Sequence, residues 1–138
     1  MGIEIERKFL VRGNQWKGKH PTIKMRQGYL CTLPDRTVRI RMEGQRGVLT
    51  VKGRSEGCSR AEYEYQIPAE EAVEMLENLC PKPQIEKTRY LVPFKGFTWE
   101  VDEFKGENQG LVIAEIELES TDQKFERPDW LGEEVTGD

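Results

Sequence analysis

Glu4, Glu6 and Lys8 open the chain as ionisable side chains two residues apart, within Ile3-Glu4-Ile5-Glu6-Arg7-Lys8-Phe9. At the two-residue period of a β-strand these three share one face, and Ile3, Ile5 and Phe9 share the other. The pattern recurs in Val38-Arg39-Ile40-Arg41, Leu49-Thr50-Val51-Lys52, Glu62-Tyr63-Glu64-Tyr65, Lys87-Thr88-Arg89-Tyr90, Trp99-Glu100-Val101-Asp102 and Ala114-Glu115-Ile116-Glu117. Charges of one sign are grouped within single strands, whereas a solvated ladder gains from opposite signs side by side. Carboxylates grouped without His or Cys select hard cations, Mg²⁺ or Mn²⁺, through oxygen ligands. Grouped arginines and lysines match phosphate oxygens, the guanidinium fork in bidentate fashion. Brought to one place, the two sets would hold a metal-bound polyphosphate chain.

The elements that must bring them together are strands. Alternation predicts strands over residues 2–11, 23–33, 37–43, 48–54, 59–67, 85–94, 97–104 and 111–119. The period changes once. Pro68 suits a helix start, Glu70 and Glu71 suit the positive end of its dipole, and Ala72, Val73, Leu76 and Leu79 line one face. Pro81 and Pro83 close this helix, predicted over 68–79, and the tail from Asp122 is expected to be helical in part. About eight antiparallel strands with short connections predict a closed barrel, in an α+β, mainly β fold with a few outer helices. An ordinary barrel with an apolar centre is the simpler alternative. Two features favour the inverse: the grouped like charges, and the aromatic opposite face carrying Tyr63, Tyr65, Tyr90 and Trp99. Unpaired buried ions are costly, so a charged lumen must be wet and filled by compensating charge.

Composition narrows the rest. A chain of 138 residues is read as a single domain over 1–138. With 25 acidic against 21 basic residues there is no basic excess for nucleic acid. No apolar run is long enough to span a membrane. Cys31, Cys58 and Cys80 are odd in number and show no metal-ligand spacing, and no secretory leader is evident, so a reducing cytoplasmic compartment is expected. His20, the lone histidine, sits in a Gly/Lys-rich connection, which argues against a His-activated nucleophile. Met25, Met42 and Met75 read as gap-filling core. The aromatic strand face is suited to pairing two barrels into a homodimer.

The ordered series of motifs resembles the CYTH superfamily, the triphosphate tunnel metalloenzymes. It runs from Glu4-x-Glu6-x-Lys8 through Gln27-Gly28-Tyr29-Leu30 and the strand motifs that begin at Val38, Leu49, Lys87, Trp99 and Ala114, over almost the whole chain. That resemblance implies an eight-stranded tunnel hydrolysing inorganic tripolyphosphate, or a nucleoside or thiamine triphosphate, with Mg²⁺ or Mn²⁺. It implies that Glu4, Glu6 and Glu115 hold one metal and that Glu64, Asp102 and Glu117 approach a second, with Glu62 and Glu100 as weaker candidates. Lys8, Arg39, Arg41, Lys52, Lys87 and Arg89, joined by Arg26, would clamp phosphate oxygens. Lys8, Tyr29, Glu64 and Glu117 are the candidate catalytic residues. Tyr29 is out of phase with Arg26, so both point inward only if the strand bulges near Gly28. Trp16 is a candidate stacker for a thiamine group at the tunnel mouth. A class IV-like adenylyl cyclase and a non-catalytic polyphosphate-binding module are the alternatives. The second gains from the chain's ending at Asp138, where relatives continue with a further helix.

Overall fold

In the computed structural model, which describes residues 2–137, the alternating segments become strands. They are Ile3–Val11 (β1), Thr22–Leu33 (β2), Arg36–Glu43 (β3), Arg46–Gly53 (β4), Ser59–Ile67 (β5), Ile85–Phe94 (β6), Phe97–Phe104 (β7) and Val112–Glu117 (β8). Neighbours run antiparallel in the order β5-β4-β3-β2-β6-β7-β8-β1, and β1 pairs back onto β5 through Ile3–Ile5 to close an eight-stranded barrel. Short turns set the hairpins. Lys95 and Gly96 both take positive φ (49° and 86°) between Phe94 and Phe97, the two-residue turn whose twist matches paired strands.

The tail departs from the expectation of a helix. Leu131–Glu134 forms a ninth strand (β9) on the half of β1 that β5 leaves unpaired, with Phe9 opposite Glu134 and Val11 opposite Leu131. Arg7 fixes it by a bidentate pair to Glu134 at 2.8 and 2.6 Å. The demand came from an open stretch of β1, a tertiary cause that overrides local propensity.

The apolar core lies outside the barrel, in two clusters. Phe9, Trp99, Val101, Ala114 and Ile116 on the outer faces of β1, β7 and β8 are covered by Trp16, Trp130, Leu131 and Phe125. The helix Ala69–Asn78 (α1) seats Ala72 and Leu76 on Ile40, Met42 and Leu49. The helix and the Cys80 just after it approach so closely that a Cβ on Gly28 would lie 2.8 Å from the Cys80 side chain, and one on Gly47 2.8 Å from Ala72. Glycine at these two strand positions is therefore a packing requirement. Trp16 belongs to this outer packing and not to a tunnel mouth: it meets Tyr90 edge-on at 5.1 Å and donates its Nε1–H to Gly13 O. Among the described residues no helix is long and apolar enough to cross a membrane.

Candidate active site in the barrel lumen

With the apolar faces committed outward, the charged faces turn inward. They line two connected chambers. The narrower, about 240 Å³, is almost wholly polar and is walled by Glu4, Glu6, Arg39, Arg41, Glu43, Lys52, Glu62, Glu64, Lys87, Arg89, Glu100, Glu115 and Glu117, with Ile23 and Met25. The wider, about 480 Å³, shares Glu6, Arg39, Lys52, Lys87 and Glu115 and adds Lys8, Tyr29, Arg60 and Asp102. Its remaining wall is mostly apolar, formed by Leu10, Ile85, Phe104, Leu111, Ile113 and Val135 with Gln27 and Thr37.

Register decides which ionised groups meet. The β1–β8 pairing sets Glu6 opposite Glu117 and Lys8 opposite Glu115. One carboxylate oxygen from each of Glu4, Glu6 and Glu117 consequently lies within 4.8 Å of the other two. Burial, then the charges of Glu115 and Glu4, push the Glu6 carboxyl up to about 9. Burial and the charges of Glu4, Glu115 and Glu64 likewise raise Glu117. Glu100 rises to about 7 through burial and its acidic neighbours, against the pull of Arg89. Burial alone would raise Glu4 too, but the Lys52 ammonium at 3.0 Å overrides it and holds that carboxyl below its usual value. Three carboxyls facing one another, two of them raised by burial and mutual repulsion, form an oxygen-only set that a hard divalent cation satisfies. The residues present fit such an ion.

The trio differs from the expected grouping. Glu115, expected beside Glu4 and Glu6, accepts from Arg89 Nη2 at 3.2 Å. Glu117, expected with Glu64 and Asp102, completes the first cluster instead. Asp102 is 2 % exposed and has both oxygens committed to cations, Arg89 at 2.8 and 2.9 Å and Lys87 at 2.7 Å. Burial would raise its carboxyl, yet the Arg89 and Lys87 contacts keep it below the usual range. Its position is that of a counter-ion to the clamp.

The expected clamp residues converge, with one correction. Lys8, Arg39, Arg41, Lys52, Lys87 and Arg89 all line the lumen. Arg26 does not: it alternates with inward Met25 and Gln27, and donates through Nε to Gln84 Oε1 in the connection after α1. Tyr29 points into the wider chamber without a bulge at Gly28, because the register shift in β2 falls between Tyr29 and Cys31. Its hydroxyl accepts from Gln27 Nε2 at 3.3 Å. Arg41 is paired with Glu43 and Lys52 with Glu4 and Glu62, whereas the buried Nε of Arg39 has no partner among the described residues. Sequence reasoning missed Arg60, Glu43, Gln27 and Thr50. Phase alone could have found the first two, since Arg60 is in step with Glu62 and Glu64, and Glu43 with Arg39 and Arg41. Met25, expected in the core, is buried facing the lumen.

Comparison with known proteins agrees with this geometry. The CYTH domain family matches residues 2–137. The inorganic triphosphatase of Acetivibrio thermocellus is 58% identical over 138 residues, spanning 100% of this chain and 88% of its own. That of Nitrosomonas europaea is 41% identical over 139 residues, spanning 98% and 90%. The crystal structure of the inorganic triphosphatase NE1496 superposes with a TM-score of 0.67 at 38% identity, covering 97% of this chain and 90% of that one.

Proposed function

The chain belongs to the CYTH domain family, and from that premise we propose that it is an inorganic triphosphatase, hydrolysing tripolyphosphate to pyrophosphate and orthophosphate within its lumen. The observation that carries the reading is the partition of one tunnel into a carboxylate trio, Glu4, Glu6 and Glu117, and an adjoining set of lumenal cations.

Each residue then has a physical task. Lys8, Arg39, Arg41, Lys52, Lys87 and Arg89 bind the phosphate oxygens, replacing water with donors fixed in advance. Asp102 keeps Arg89 and Lys87 aimed into the lumen. Glu4, Glu6 and Glu117 would hold a divalent cation, Mg²⁺ or Mn²⁺, which when bound neutralises charge on the polyphosphate. Glu64, exposed at the carboxylate-lined mouth, orients the attacking water and takes its proton. The new bond joins that water oxygen to phosphorus, and the bridging P–O bond breaks in line with it. Pyrophosphate leaves with the bond's electron pair, its charge met by the clamp and by the Tyr29 hydroxyl.

One observation favours a second substrate class. The apolar wall of Ile85, Phe104, Leu111 and Ile113 in the wider chamber would shelter an organic group carrying a triphosphate. Phosphate release from tripolyphosphate, ATP and thiamine triphosphate, with and without Mg²⁺ or Mn²⁺, tests both. Cation-dependent release from tripolyphosphate is expected, and cyclic AMP from ATP would mark a cyclase instead. Calorimetric binding of tripolyphosphate with no turnover would leave only a binding module. Undiminished turnover in Glu4→Gln and Lys8→Ala would refute the assignment.

A further inference from the structure

The lumen contains one neutral hydroxyl set squarely between two charged groups of opposite kind. Register across three strands places Arg39 of β3 opposite Thr50 of β4, and Thr50 opposite Glu64 of β5. Arg39 Nη2 donates to Thr50 Oγ1 at 3.3 Å, and Thr50 Oγ1 donates to Glu64 Oε2 at 3.3 Å. A guanidinium has no acceptor, so the hydroxyl proton can only be directed toward the carboxylate. The chain of donors therefore runs one way, from Arg39 to Glu64.

Thr50 is also what these two groups share exclusively. Other lumenal cations meet carboxylates directly: Arg41 with Glu43, Lys52 with Glu4, and Arg89 and Lys87 with Asp102. Among the described residues, neither Arg39 nor Glu64 has another side-chain hydrogen bond, and Arg39 Nε is buried without any. Thr50 itself is fully buried. Its β-branched side chain restricts χ1, so the hydroxyl is held in place more tightly than either long side chain it touches. A direct Arg39–Glu64 ion pair would occupy both groups; a hydroxyl between them holds each while leaving the guanidinium Nη1 and the second carboxylate oxygen free for substrate and water.

We infer that Thr50 is a positioning residue of the hydrolytic site, its hydroxyl fixing the phosphate-binding Arg39 and the water-orienting Glu64 at a set separation. The inference rests on the triphosphatase reading and adds to it a residue that contacts neither reacting atom. Thr50→Val keeps the branched shape and strand preference while removing the hydroxyl. With tripolyphosphate and Mn²⁺, its kcat is expected to fall about 10- to 100-fold, the range for losing a hydrogen bond to a charged group, with KM within about threefold of wild type. Thr50→Ser should recover most of the lost turnover. In a Glu64→Gln background, Thr50→Val should cost less than about threefold further, because the two changes disable one unit. That comparison also serves if the valine variant folds poorly, since a folding defect would persist there. Wild-type turnover in Thr50→Val, equal loss in Thr50→Ser, or full additivity with Glu64→Gln would each overturn the inference while leaving the triphosphatase reading intact. A wild-type chain that releases no phosphate from tripolyphosphate would overturn both.

Discussion

Asp102 separates two accounts of the lumen, because a metal ligand and a counter-ion respond oppositely to removal. The perturbation is Asp102→Asn, which keeps shape and withdraws the charge. Asp102 is 2 % exposed and holds Arg89 by two bonds of 2.8 and 2.9 Å and Lys87 at 2.7 Å, so its loss strands two buried cations. Breaking a buried ion pair from one side costs about 3–5 kcal/mol. Arg89 keeps Glu115 at 3.2 Å and Glu100 at 3.3 Å, which argues for the lower end, about 3 kcal/mol. At roughly 3–4 °C per kcal/mol for a chain of this length, the melting temperature should fall about 10 °C. Tripolyphosphate supplies the missing negative charge, so it should raise the variant's melting temperature by more than it raises wild type's. Thermal unfolding followed by circular dichroism, with and without tripolyphosphate and without metal, gives both numbers, and calorimetry gives Mn²⁺ affinity. A variant that melts with wild type but binds Mn²⁺ about tenfold or more weakly would refute the counter-ion role and make Asp102 a ligand.

Glu6, held up to about 9, must lose its proton before a cation takes its place. Mn²⁺ binding near pH 7 should therefore release about one proton, read from the buffer dependence of the calorimetric heat, and affinity should climb with pH until about 9. The cation-free fold gains from a neutral Glu6 only at low pH. That gain is lost as pH rises from the ordinary carboxyl value of 4.5 toward 9, and the melting temperature should decline across the window; a flat profile with no proton release would contradict this. At β9 the sign reverses. The Arg7 hydrogen bond holds Glu134 down to about 2, so its contribution is present above 4.5 and lost as pH falls toward 2. Because both partners are partly open to water, a double-mutant cycle with Arg7→Ala and Glu134→Gln should give a coupling of only about 1 kcal/mol, and no coupling would show that β9 is held by its backbone pairing and apolar contacts without help from this ion pair.

The strands were legible because alternation fixes which side chains share a face, whatever the partner strand. Lys8, Arg39, Lys52 and Glu64 could therefore be placed in the lumen once the inverted barrel was accepted. Phase also carried a warning about Arg26, which cannot face inward with Tyr29 along a regular strand; the family pattern drew it into the clamp against that warning. Groupings across strands were not legible. Glu117 joins Glu4 and Glu6 because β1 and β8 pair in a register fixed by closure of the whole barrel. Asp102 becomes a counter-ion for the same reason, since β6 sets Arg89 directly opposite it. Leu131-Gly132-Glu133-Glu134 has no alternation to announce a strand, and the open half of β1 recruits it. In sequence Thr50 is one more β-branched residue; only its pairing with Arg39 on one side and Glu64 on the other distinguishes it.

The closure of β1 also constrains the order of assembly. Its partners are residues 59–61, 113–117 and 131–134, so its pairing is complete only when distant parts of the chain have reached it. Such distant pairings require large loops to close, a slow event in which chain entropy is lost before contacts repay it. The lumen that Glu4, Glu6 and Lys8 line is therefore closed only when β5 and β8 have both paired with β1. Barrel closure and the carboxylate trio are one structural fact, because Glu117 meets Glu4 and Glu6 only across the β1–β8 ladder.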